Sequence, residues 1–210
     1  MTQHLRATAR FAAMAAAALV VPLLAQQPAP REVPTKKDPV RFTAFNVSMQ
    51  TGTAGVTDIV IERWTADAER QSLLDVLAGA KWGEEGQAKL LKALQKVDPR
   101  VGFIRTPNSL GWDLKYAWES VLPDGTRQIV IGTDKRVSTM AAMSGGRAMD
   151  YPFTIIEMRF PPNDPKNKGT GKMLVASSLI VKDGKLQLEN YGQEPVRLTE
   201  ITEKQKAPKS

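Results

Sequence analysis

Two hydrophobic periods divide this chain. From Arg41 to Gln50 apolar residues recur at alternate positions, with Phe45, Val47 and Met49 on one side, and this predicts a first strand. Gly52 and Gly55 punctuate a turn. Thr57 to Trp64 carries Ile59 and Ile61 on one face and Val60 on the other, and reads as a second strand. The period then lengthens. Arg70, Leu73, Leu74 and Leu77 follow the spacing of three and four that one helix face requires, with Thr65 as N-cap and Gly79 as stop. Glu84 to Val97 repeats the pattern through Leu90, Leu91, Leu94 and Val97, with acidic residues in its first turn, and Asp98-Pro99 ends it. The short link Gly79-Ala80-Lys81-Trp82-Gly83 makes the two helices an antiparallel hairpin at about 66–97.

Beyond the hairpin the chain reads as strand and turn. Strands are predicted over Val101–Thr106, through Trp112, Leu114, Tyr116 and Trp118, and over Arg127–Thr133 after the turn Pro123-Asp124-Gly125. Further strands are predicted over Phe153–Phe160, Lys172–Val181 and Leu186–Glu189, the last two joined by the hairpin signal Lys182-Asp183-Gly184-Lys185. Val196–Ile201 closes the set. Short turns between neighbouring strands favour antiparallel pairing. The fold class is therefore α+β: about nine mainly antiparallel strands, barrel-like or divided into a sandwich, with an inserted two-helix hairpin. The sequence shows no internal repeat.

The first residues follow another logic. Arg6 and Arg10 form a positive start, Phe11 to Leu24 is an uncharged apolar run, and small Ala25 precedes polar Gln26 and Gln27. This is the three-part pattern of a secretory signal peptide over 1–25, with cleavage expected after Ala25. The run of 14 residues is shorter than the roughly 18 that span a bilayer, and Pro22 interrupts it, so no stable membrane anchor is expected after cleavage. Residues 26–39 hold four prolines and mixed charge and read as a disordered leader, 40–202 as a single β-rich domain, and 203–210 as a frayed tail. The expected location is outside the cytoplasm, in the periplasm or cell envelope.

Composition narrows the chemistry. The one histidine, His4, lies in the signal segment, and the chain has no cysteine. A processed chain has neither residue, which removes Ser-His-Asp and Cys-His catalysis, thiol redox exchange and the usual zinc, copper and haem ligands. No catalytic residue, metal ligand set or cofactor is assigned. Without residues 1–25 the chain holds 27 basic and 22 acidic residues, a net charge of +5, which mildly favours acidic partners. No basic stripe on a recognisable module suggests nucleic-acid binding.

Carboxylate chemistry, a serine–lysine pair, calcium held by oxygens and binding without catalysis survive this filter. Asp113 and Glu119 flank the aromatic strand of Trp112, Tyr116 and Trp118 but alternate opposite to its rings. The segment Ser144 to Phe153 is the most unusual locally. Gly145-Gly146 permits backbone amides that converge on an anion, and Arg147 adds a bidentate donor, unless the glycines only bend a connector in which Arg147 pairs with Asp150. Arg147, Asp150, Tyr151 and Trp118 are the candidate binding residues. Asn163, Asp164 and Asn167 lack calcium-loop spacing, and Gly169-Thr170-Gly171-Lys172 lacks the full phosphate-loop pattern because Met173 follows. Ser177 and Ser178 precede Lys182 without a distinctive arrangement. Asn46-Val47-Ser48 is a glycosylation sequon by pattern, set inside a predicted strand.

Gly145-Gly146-Arg147, Asp150-Tyr151-Pro152-Phe153-Thr154, Leu188-Glu189-Asn190-Tyr191 and Pro195-Val196-Arg197-Leu198-Thr199 carry a resemblance to uncharacterised exported proteins of bacteria. It covers about residues 102–201 and implies an exported bacterial setting, with no activity or site residue to transfer.

Three functional readings follow. The first is a non-catalytic envelope protein that binds a small molecule or a protein partner. A barrel interior lined by Trp112, Tyr116, Trp118, Ile129 and Ile131 would hold an apolar ligand, unless the barrel is filled by its own side chains. The second is a carboxylate-dependent hydrolase of polysaccharide, which needs a cleft holding two carboxyl groups about 5–10 Å apart. The third is an interaction module that docks through an exposed stripe at Leu73, Leu77, Leu90 and Leu94. The oligomeric state is left open.

Overall fold

The computed structural model describes residues 33–49, 52–79, 84–107, 109–137, 153–162, 168–175, 178–182, 185–189 and 195–204. The alternating segments form β1 (Val40–Ser48), β2 (Thr53–Ile61), β3 (Gly102–Arg105), β4 (Trp112–Leu114), β5 (Tyr116–Val121), β6 (Arg127–Thr133), β7 (Thr154–Phe160), β8 (Gly169–Val175), β9 (Ser178–Lys182), β10 (Lys185–Glu189) and β11 (Val196–Glu203). Helices α1 (Asp67–Gly79) and α2 (Glu84–Gln95) lie between β2 and β3. Nine strands form one antiparallel sheet in the order β4-β3-β2-β1-β11-β8-β7-β6-β5, and β9 and β10 pair separately.

This sheet is a nearly closed barrel. β4 pairs with β3, and β5 with β6, so the chain from Trp112 to Val121 serves both edges of the sheet. A phase slip at Lys115 joins the edges. Its backbone N–H donates to the carbonyl of Gly132 at 2.9 Å, and the Thr133 hydroxyl donates to the carbonyl of Asp113 at 2.7 Å. Thr65 adds a strap, since its N–H donates to the Ala117 carbonyl and its hydroxyl accepts from the Ala117 N–H, both at 2.9 Å.

Two apolar layers result. Phe42, Ile59, Ile104, Ile129, Met158 and Met173 are buried inside the barrel. Leu73, Leu90 and Leu94 pack with Phe153, Ile155, Tyr116 and Val130 on the outer face of β5–β7, so the hairpin covers that face. Burial of three leucines there withdraws most of the stripe that a docking hairpin would need.

Several local expectations change. The segment Trp112–Trp118 is two strands, and the slip at Lys115 reverses its faces. Leu114 and Ala117 are buried in the barrel, whereas Tyr116 packs with the helices. The predicted strand 172–181 is likewise two, β8 and β9. Thr65 is not the helix cap. Glu69 reaches back to accept from the Ala66 N–H at 2.9 Å, and the Thr65 hydroxyl is used by β5. Asn46 of the sequon is buried on the inner face, where its amide donates to the Thr57 hydroxyl at 2.6 Å, so it cannot carry a glycan in the folded chain.

Candidate functional site

The two helices flank a groove of about 790 Å³, lined by residues 68–76 of α1 and by residues 89–98 of α2 and the turn that follows it. Its apolar lining comes from Leu73 and Val76 of α1 and from Ala93 and Val97 on the other side. Leu73 and Val76, three residues apart, share a face, as do Lys89 and Lys92 of α2 with Lys96 just beyond its end. These lysines form a cationic wall. Lys92 and Lys96 have no carboxylate at ion-pair distance among the described residues, whereas Lys89 has a polar partner.

The acids around the groove are mostly engaged. Glu69 takes a bidentate pair from Arg63, at 2.7 and 3.0 Å, besides the Ala66 N–H. The hydrogen bonds from Arg63 hold its carboxyl below the usual carboxylate range against the opposing effect of burial. Asp75 accepts from the Gln71 amide at 2.8 Å. Asp98 stands exposed at one end. Apolar lining beside the ammonium groups of Lys92 and Lys96 suits a ligand with an aliphatic part and an anionic head.

The candidates from sequence fall elsewhere. Arg147, Asp150 and Tyr151 lie outside the described residues, as do Gly145, Gly146, Ser177, Asn163, Asp164 and Asn167. Trp118 lies on the outer face of β5, with the Arg70 guanidinium of α1 4.8 Å from its ring centroid. It therefore helps seat the helix on the sheet. Ile129 and Ile131 face the barrel interior, whereas Tyr116 and Trp118 face outward towards the helices, so the four residues cannot line one cavity.

Carboxylates do come together, but around arginines. Glu119 and Glu203 both pair with buried Arg127, and Glu62 and Asp113 both pair with Arg100. A general acid needs a carboxyl whose pKa is raised. Burial pushes Glu157 up, but hydrogen bonds from Arg159 and Gln128 and the charge of Lys172 outweigh it, and the net shift is downward. No group of three or more His, Cys, Asp or Glu among the described residues is placed to hold a metal ion.

The Glu157 network makes a pH prediction. Arg159 and Gln128 donate to its Oε1 at 2.7 and 2.6 Å, and Lys172 lies 3.2 Å from Oε2. A carboxyl whose folded pKa is lowered stabilises the fold above its unfolded value, about 4.3, and that stability is lost as pH falls through the folded value. Glu157→Gln should lower stability at pH 7 and flatten the loss between neutral and acid pH, as read by urea denaturation at a series of pH values. Parallel acid limbs for the two proteins would show that the network carries no such linkage.

The groove was hidden from sequence reading because its lysines belong to an ordinary polar helix face, and only the packing of α1 beside α2 gives that face an apolar neighbour. Among the described residues no helix is long and apolar enough to cross a membrane. No family model, curated protein or solved structure matches this chain.

Proposed function

We propose that this chain is a non-catalytic binding protein, exported to the periplasm or cell envelope, that takes an amphipathic anion into the groove between α1 and α2. The observation that carries the reading is the 790 Å³ groove, with an apolar lining beside Lys92 and Lys96. Its size is typical of small-molecule sites, about 300–1,000 Å³. The signal-peptide pattern over 1–25 supports export. The sharing of Arg127 and Arg100 by carboxylate pairs supports binding over carboxylate hydrolysis, since in each pair a guanidinium sits against both acids.

Decyl phosphate, decanoate and decanol, each below micelle formation, provide the test. At one hundred times its dissociation constant a ligand adds about 2.7 kcal/mol of stability. The expected result is a raised melting temperature with the two anions, little with decanol, and loss of the anion effect in Lys92→Glu/Lys96→Glu. No stabilisation by either anion, or a stabilisation that survives the double substitution, would overturn the reading.

A further inference from the structure

The barrel end opposite Arg127 presents apolar side chains to solvent at two neighbouring turns. β1–β2 and β3–β4 are antiparallel pairs adjacent in the sheet, so their connecting turns project from the same end. Met49, in the first turn, is 57% exposed, and Leu110, in the second, is 99% exposed. Behind Met49 the outer face of β1 continues the apolar surface. Phe45 is 52% exposed beside Val56, and Val47 stands beside Ala54.

The second turn is built to hold Leu110 out. The Thr106 N–H donates to the Ser109 hydroxyl at 3.1 Å, and that hydroxyl donates back to the Thr106 carbonyl at 2.9 Å. Gly111 follows with φ 88, where an added Cβ would come within 2.7 Å of the Ile104 carbonyl oxygen and of Arg105 Cγ. This conformation is open to glycine and costly to other residues. Cationic side chains accompany the apolar ones. Arg105 stands at the base of the second turn, and Arg197 lies opposite Val47 in register.

We propose that this end of the barrel docks on an anionic lipid surface, with Met49 and Leu110 entering the headgroup boundary, Phe45 following at its edge, and Arg105 and Arg197 facing the headgroups. Two separate apolar tips fit a fluid surface, which closes around each without a matching solid contour. Cations beside them complement anionic lipid, and the pairing of apolar insertion with charge attraction is how proteins rest on such surfaces. The proposal is independent of the helical groove.

Vesicle flotation tests it on the chain from Gln26, which retains β1 to β11, both helices and both apolar layers and lacks the apolar run of 11–24. The chain should float with phosphatidylglycerol vesicles at low salt, much less at high salt, and weakly with phosphatidylcholine alone. Met49→Asp/Leu110→Asp should reduce flotation roughly tenfold or more. Both side chains are exposed, so the melting temperature should stay unchanged and certify that the variant is folded. No flotation with phosphatidylglycerol, or equal flotation of the variant, would overturn the proposal. Self-association of the parent chain that the same substitutions abolish, without vesicle binding, would overturn it in favour of a second copy as the occupant.

Discussion

Replacing Arg127 with methionine should cost about 3–5 kcal/mol of stability, because it strips two carboxylates of their shared cation at one end of the barrel. Arg127 opens β6 and is buried on the inner face, in register with Phe160 on β7 and Val121 on β5. Its guanidinium carbon lies 4.9 Å from the Phe160 ring centroid and 5.7 Å from that of Phe42. Glu203 of the last strand accepts from Nη1, and Glu119 faces Nη2 at 3.2 Å. The Glu119 contact is an ion pair without hydrogen-bond alignment, since Nη2 meets no acceptor in suitable geometry. The loss should appear as a lower urea midpoint at unchanged slope. A second variant separates the stranded charges from the packing. Adding Glu119→Leu and Glu203→Leu to Arg127→Met should recover most of the stability, as replacement of a whole buried ionic cluster often does. If the single substitution costs under about 1 kcal/mol, the cluster is already hydrated and the barrel end is open to water.

Gly102→Ala should cost several kcal/mol, among the largest effects a single methyl group can produce. Gly102 opens β3 opposite Ile61. A Cβ built there would lie 2.0 Å from the Val60 carbonyl oxygen and 3.0 Å from the Ile61 Cα. Both are backbone atoms of the paired strand, so no side-chain rotation relieves the overlap. Relief must come from pulling β3 off β2, at the point where the helical insertion returns to the sheet. Gly132→Ala is the control. Its Cβ would meet the Ile155 and Tyr116 side chains at 3.4 Å, ordinary packing distance, and the substitution should stay within about 1 kcal/mol of the parent. Comparable losses at the two positions would show that β3 does not approach β2 this closely.

The elements were legible where a period runs unbroken. Ile59 and Ile61 with Val60 opposite, the leucines of the hairpin, and Arg127–Thr133 all announce their structure, because burial on one face writes the period into the sequence. Legibility failed at Lys115. Trp112, Leu114, Tyr116 and Trp118 alternate without interruption, yet the slip that lets one segment serve both edges of the sheet turns the second pair of these side chains outward. Alternation records the faces of a strand and holds no record of its pairing with two different neighbours. Thr65 failed for a related reason, since its partner Ala117 is 52 residues away and no local rule anticipates it. The apolar set Phe45, Val47 and Met49 was visible from the outset, but the inner face of β1 belongs to Phe42, Ala44, Asn46 and Ser48. The groove and the paired turns depend on which elements lie side by side, and that information is tertiary.

The pairing of β1 with β11 bears on how this chain is made. A polypeptide that emerges amino end first, from a ribosome or through a membrane pore, exposes Val40–Ser48 long before Val196–Glu203 is available. β1 can meet β2 at once, but its other edge waits for the final strand, and Arg127 waits for Glu203. Contacts of such long range slow folding and leave strand edges open meanwhile. The sheet thus stays incomplete until β11 has emerged, so a partly emerged chain needs shielding from its neighbours.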